Sequence, residues 1–305
     1  MPQTLEAKPF HATRWAELPE RGTSAPLRIA GWIALQVGRP IARLLLYPIT
    51  LYFVLTGRAA RLGSQEYLTR LNGHRPNWRH FFRHFHCFAA TILDRVYLLK
   101  GQFERFDVRV HQREVLHAQI ETGKGCILLG SHLGSFEVLR ALGVTQQEFP
   151  LKVLMDITHN EKITIFLDEL NPEIAGTVIV PDRPDTLLRV KESLDAGYLI
   201  GILGDRPTRD GKTTPCSFLG APISFPAGPF ILAAMMHCPI ILFFGIYRGG
   251  NRYDIFFEKF ADDIVLNRDR RSEEIQQWGQ RYAERLEHYA RLAPYNWFNF
   301  YPFWD

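Results

Sequence analysis

Between residues 105 and 292, short apolar runs alternate with longer stretches whose apolar positions recur every three or four residues. Apolar runs of four to eight residues bounded by turn residues fit strands buried on both faces, and the three-four recurrence fits amphipathic helices. The first pattern predicts strands over 126–130, 151–155, 177–180, 199–203, 239–245 and 252–257. The second predicts helices over 111–122, 135–143, 161–170, 185–196, 229–237 and 271–292. Strands alternating with helices specify an α/β fold, with a mostly parallel central sheet flanked by helices. An antiparallel pair is expected where 239–245 meets 252–257.

The first hundred residues follow a different pattern. From Leu27 to Leu55 the chain reads LRIAGWIALQVGRPIARLLLYPITLYFVL, an aliphatic run broken by Arg39, Pro40 and Arg43. A membrane-crossing helix needs about 20 apolar residues without charge. The uninterrupted part here, Leu44 to Leu55, has 12 residues and contains Pro48. The expectation is a membrane-associating helix or kinked helical pair over about 27–56 that dips into one leaflet, its arginines snorkelling to lipid phosphates. A buried core helix and a full span are the alternatives. Residues 78–99, WRHFFRHFHCFAATILDRVYLL, read as an amphipathic helix at the membrane boundary, with Phe81, Phe85, Phe88 and Ile92 on one face and Arg79 and Arg83 on another. His80, His84 and His86 lack the partners of a metal site, and no metal or cofactor is expected. The chain thus divides into an N-terminal membrane-associating region, 1–100, and an α/β domain, 101–305.

Charge sharpens this division. Residues 1–100 hold 14 Lys/Arg against 5 Asp/Glu, a net of +9, whereas the remainder holds 22 against 27, a net of −5. A basic third in front of a mildly acidic body implies an anionic partner, and the adjoining aliphatic run favours an anionic lipid surface over nucleic acid. The four cysteines, Cys87, Cys126, Cys216 and Cys238, are too scattered for a disulfide framework or zinc site, which suggests free thiols in a reducing compartment. The first 25 residues lack the apolar core of a cleaved secretory signal.

One stretch carries candidate chemistry. CILLGSHLGSFEVLRALG, 126–143, runs from an apolar strand through a glycine break into a helix. This places His132 at the carboxyl end of a strand, the edge of an open α/β sheet where ligands bind. Glu137, on the first turns of the helix, is expected to face it. A carboxylate accepting the Nδ1–H fixes the imidazole tautomer and leaves the other nitrogen free to take a proton from a hydroxyl. No serine or cysteine nucleophile motif accompanies the pair, so a substrate would supply the attacking oxygen. A packing or capping role for the same two residues is the alternative.

HLGSFE, 132–137, resembles the H-x4-D/E signature of the lysophospholipid acyltransferase superfamily, and its context is closest to the lipid A lauroyl/myristoyl acyltransferase branch. GILGDRPTRDG, 201–211, is similar to that branch's apolar strand ending in an aspartate-containing loop. FLGAPISFPAGPFILAAMMHCPII, 218–241, resembles its next segment, with Phe218, Gly220, Pro226 and Gly228 in place. The tail NWFNFYPFW lacks the histidine–arginine ending of the lauroyl transferases, as expected of a divergent member. The resemblance implies an acyltransferase that moves a fatty acyl group from acyl carrier protein or CoA to a hydroxyl of a lipid or glycolipid, at the cytoplasmic face of a bacterial inner membrane. It implies His132 as general base oriented by Glu137, with Ser135, Asn160, Asp205, Arg206 and Gly228 as substrate-binding positions. A hydrolase of acyl thioesters and a non-catalytic lipid-binding protein of the same fold are the alternatives.

Overall fold

The apolar runs form strands at the predicted places. In the computed structural model, which describes residues 35–145, 149–155, 171–181, 183–207 and 211–304, nine strands and nine α-helices follow in order among the described residues. The helices α1 (Arg39–Thr56), α2 (Arg58–Asn72) and α3 (Trp78–Leu99) come first. Then come β1 (Asp107–His111), α4 (Arg113–Glu121), β2 (Ile127–Gly130), α5 (Phe136–Arg140), β3 (Leu151–Leu154), α6 (Pro172–Ala175) and β4 (Val178–Ile179). The chain continues through α7 (Thr186–Asp195), β5 (Leu199–Leu203), β6 (Thr213–Phe218), β7 (Ala221–Pro226), α8 (Gly228–Met236), β8 (Ile240–Gly249), β9 (Arg252–Ala261) and α9 (Arg271–Leu292). The predicted helix 161–170 lies outside the described residues.

Seven strands form one sheet in the order β1-β9-β8-β2-β5-β3-β4. All neighbours are parallel except β8 and β9, the expected antiparallel pair. The central strand β2 is buried along its whole length, which explains its unbroken apolar sequence. Alternate residues of the sheet feed two cores. Ile127, Leu129, Ile200, Ile202, Leu242 and Phe244 pack under α2, α7, α8, α9 and the C-terminal tail. Leu128, Leu199, Ile241 and Phe243 pack under α3, α4 and α5 on the other face. The four cysteines are all free, and only Cys87 is other than buried.

Sequence patterning did not reveal β1 or the β6–β7 hairpin. Pro215, Pro222 and Pro226 argue against strands in that segment, but a two-stranded ribbon has outer edges where a missing N–H costs no ladder bond. Its two turn residues, Leu219 and Gly220, both have positive φ, 49° and 75°, the twist that closes a tight hairpin.

Helix α1 leaves most of its aliphatic surface exposed. Ala42, Leu46, Thr50 and Val54, one narrow stripe at four-residue spacing, are the buried residues of this helix. Ile41, Leu44, Tyr47, Leu51, Tyr52 and Leu55 are exposed around the rest of the helix. No single helix among the described residues is long and apolar enough to cross a membrane; α1 and α2 pass such a test only as a pair bent by 92°. The two arginines at the start of α1 do not snorkel. Arg39 grips the buried Asp94 with Nε and Nη2 at 2.8 and 2.9 Å, and Arg43 donates to the Tyr247 hydroxyl at 2.6 Å. Asp94 is fully buried and also accepts from Tyr253 at 2.8 Å, so an interior carboxylate claims these cations before lipid does. Helix α3 is likewise more deeply set than a boundary helix. His84, Phe85 and nearly all of its last turns are buried, leaving Phe88 and Ile92 partly exposed.

Candidate active site

Strand register brings the site together. Strands β2 and β5 lie side by side in parallel with Gly130 opposite Leu203. Residues two steps beyond each strand end are therefore neighbours at the carboxyl edge of the sheet, and these are His132 and Asp205. The amide of Gly204 donates to the Gly130 carbonyl at 2.9 Å, and the Tyr282 hydroxyl donates to the same oxygen at 2.8 Å, which fixes both strand ends.

The Asp205 carboxylate lies fully buried and accepts from both sides. The His132 amide donates to its two oxygens at 3.0 Å each, the imidazole Nδ1 lies 2.8 Å from Oδ1, and the Trp297 indole Nε1 donates to Oδ2 at 2.9 Å. Burial alone would raise this carboxyl. The His132 contacts, the Arg206 guanidinium and the Trp297 donor overcome it and bring its pKa down to about 2. An ionised carboxylate can only accept, so Nδ1 carries the proton and Nε2 holds a free lone pair. Burial and the nearby Arg206 cation keep the His132 pKa below its ordinary value, against the pull of Asp205. About a third of the His132 side chain nevertheless reaches the surface. The result is a neutral imidazole with its basic nitrogen unclaimed by Asp205.

The C-terminal tail straps this loop in place. Phe298 donates its amide to the His132 carbonyl at 3.0 Å, and the Gly134 amide donates to the Asn296 carbonyl at 2.8 Å. The Asn296 side chain bonds both the amide and the carbonyl of Tyr247, at 2.8 and 3.1 Å, tying the tail to β8. Gly134 has φ of 80°, and a Cβ there would collide with the carbonyl oxygen of Gly245. A Cβ on Gly245 would in turn lie 2.5 Å from the Ser135 carbonyl. Two glycines facing each other allow the His132 loop to press directly onto β8.

The expected contact between His132 and Glu137 is not made. Glu137 opens α5, which packs on the opposite core with Val138 and Leu139 against α3. There it meets Arg95 of α3 at 2.7 Å and Arg140 at 3.4 Å. Burial pushes the Glu137 carboxyl up, and the two guanidiniums overcome it and hold it below the usual range. Arg140 also donates to the Ile174 carbonyl at 3.0 Å. The carboxylate that orients His132 is Asp205, which register delivers two residues past a neighbouring strand.

The other candidate positions fall as follows. Asp205, expected to bind substrate, is sealed beneath the imidazole and serves as its partner. Arg206 donates to the Phe298 carbonyl at 2.7 Å and sits over the Tyr301 ring, partly exposed beside the site. Ser135 is buried, with its amide donating to Gly245 at 2.7 Å, so it braces the loop. Gly228 begins α8, and a side chain added there would meet open space. Asn160 lies outside the described residues. The three histidines of α3 serve separate partners: His80 the Tyr295 hydroxyl, His84 the Trp297 carbonyl and Ser64, and His86 Thr50. Sequence reading missed Trp297. Its only signal is an aromatic tail, and nothing in such a tail marks which ring carries a useful N–H.

The family model described as bacterial lipid A biosynthesis acyltransferase matches residues 79–305, which include every element of the site. The chain belongs to the bacterial lipid A biosynthesis acyltransferase family. No curated protein matches the chain. Membership makes acyl transfer its activity class, with an acyl donor and a lipid acceptor in general terms, and members of the family are typically membrane-associated.

Proposed function

We propose that this protein moves a fatty acyl group from an acyl-carrier-protein or CoA thioester to a hydroxyl of a lipid or glycolipid, at the cytoplasmic face of a bacterial inner membrane. The observation that carries the reading is the neutral His132 imidazole, held at Nδ1 by the buried Asp205 and reaching the surface beside Arg206. The Nε2 lone pair takes the acceptor's hydroxyl proton as that oxygen bonds to the thioester carbonyl carbon. Asp205 stabilises the imidazolium as it forms. When the tetrahedral intermediate collapses, the carbon–sulfur bond breaks and the departing thiolate takes the proton back from the imidazolium. No protein nucleophile is required. Glu137 supports this chemistry indirectly, by pinning α5 to α3 through Arg95.

The apolar exterior of α1 supports the membrane assignment. Leu44 and Leu55 are each about two-thirds exposed, and burying a leucine side chain contributes on the order of 2 kcal/mol. Such a helix is at rest with its free faces in acyl chains. The basic N-terminal third adds attraction to anionic lipid, on the order of 1 kcal/mol per cation near the surface, and the same charge suits an acidic carrier protein.

Product analysis tests the reading. Purified protein, an acyl thioester and a membrane lipid extract should give a lipid heavier by one acyl chain. Release of free fatty acid with no acylated lipid, acceptor being present, would assign the protein to thioester hydrolysis instead.

A further inference from the structure

Trp297 stands where two buried networks meet. Its indole N–H donates to Asp205 Oδ2 at 2.9 Å, and its carbonyl lies 2.8 Å from the His84 Nε2. His84 is fully buried and held neutral by that burial, its pKa lowered to about 4. A carbonyl can only accept, so Nε2 carries the proton, and Nδ1 at 2.8 Å from the Ser64 hydroxyl accepts. The ring itself is packed edge-on against Tyr67, Phe218 and Phe303. Ser64 belongs to α2 and His84 to α3, and a Cβ on the adjacent Gly63 would collide with the Tyr301 backbone, so α2 abuts the tail without a spacer. Both polar ends of one buried tryptophan are thus committed, one to the helices and one to the carboxylate beneath His132.

We propose that Trp297 is a positioning residue for acyl transfer: its indole N–H fixes the Asp205 carboxylate that orients the His132 imidazole. The proposal rests on the reading of His132 as the base. Asp205 has two oxygens and a rotatable carboxyl; with the indole holding Oδ2, Oδ1 is left in line with Nδ1. The donor also draws electron density from the carboxylate, so the imidazolium is stabilised less than it would be by a bare anion, and Nε2 stays unprotonated. The other charged and titratable groups around this carboxylate are Arg206, Tyr282 and Tyr301. Tyr282 is committed to the Gly130 carbonyl and Arg206 to the Phe298 carbonyl, so Trp297 is the side-chain donor that meets the carboxylate opposite His132.

The test uses the full chain in detergent micelles, with an acyl-CoA donor and a membrane lipid extract. Trp297→Phe keeps an aromatic ring and removes the N–H. Loss of the orientation that this bond gives the carboxylate, and through it the imidazole, predicts a fall in kcat of about 10- to 100-fold with KM unchanged. It also predicts that the acid limb of the kcat/KM profile moves to higher pH, because an undamped Asp205 makes His132 more basic. A residue that only fills space would lower thermal stability and leave that limb in place, and this result overturns the proposal. In the wild-type protein, where folding is not in question, the Trp297 indole N–H resonance should titrate together with the His132 ring; a flat response also overturns it. Full transfer by His132→Ala would instead overturn the underlying reading of the base, whatever the indole resonance does.

Discussion

Replacing Asp205 by asparagine removes one charge and almost no volume, yet the geometry makes it severe. The carboxylate oxygens face only donors: the His132 amide, the His132 Nδ1–H and the Trp297 indole N–H. An asparagine offers one oxygen and one NH2, so one of these N–H groups must confront another donor. If the NH2 faces Trp297, the imidazole keeps a neutral partner and loses the charge that stabilises its protonated form. If the NH2 faces His132, the ring must accept at Nδ1 and carry its proton on Nε2, which abolishes the base. Either outcome forfeits most of what a positioned general base contributes, about 10²- to 10⁴-fold in rate. A thousandfold loss corresponds to about 4 kcal/mol of transition-state stabilisation. The assay is single-turnover acyl transfer from a thioester to a lipid extract, with circular dichroism to confirm folding. A folded Asp205→Asn protein that keeps more than a third of wild-type kcat would refute the assignment of Asp205 as the partner of His132.

Glu137→Gln should behave differently. It removes the negative charge that Arg95 and Arg140 share in a buried site, costing about 3 kcal/mol of stability by denaturant unfolding, while the pH profile of the surviving activity stays that of wild type. Folding stability should also fall as pH drops. His84 has a folded-state pKa of about 4 against an ordinary 6.5, so between those values the unfolded chain binds the extra proton and unfolding is favoured. That loss amounts to about 3 kcal/mol, complete near pH 4, and should be largely absent in a folded His84→Gln variant. Placing aspartate at Leu44, Leu51 and Leu55 together should move the protein from sedimented anionic vesicles to the supernatant with its circular dichroism unchanged, because these side chains are exposed and lie off the buried stripe of α1; retention on the vesicles would remove α1 as the membrane contact.

The sheet was legible because buried parallel strands leave an unmistakable signature. LIGIL at 199–203 and the runs ending at Gly130 and Gly245 are apolar on both faces, as strands covered by helices on both sides of a sheet must be. His132 was legible for the same reason, as the first titratable group beyond a central strand. Its partner was not. Glu137 is five residues away in sequence and Asp205 seventy-three, and local spacing favours the near residue although strand register selects the far one. The register itself is implicit in the sequence, since both strands end in an apolar run followed two residues later by a polar side chain, but only once β2 and β5 are known to be neighbours. Proline obscured the β6–β7 hairpin. The arginines of α1 were misjudged because a buried acceptor fifty-five residues on, Asp94, is invisible to a window that sees only their own helix.

The most direct measurement is the rate of acyl transfer by His132→Ala, followed by mass spectrometry of the lipid product. The account predicts a folded protein whose transfer falls by about 10²- to 10⁴-fold, with thioester and acceptor both recovered unchanged. Product formed at close to the wild-type rate would contradict it.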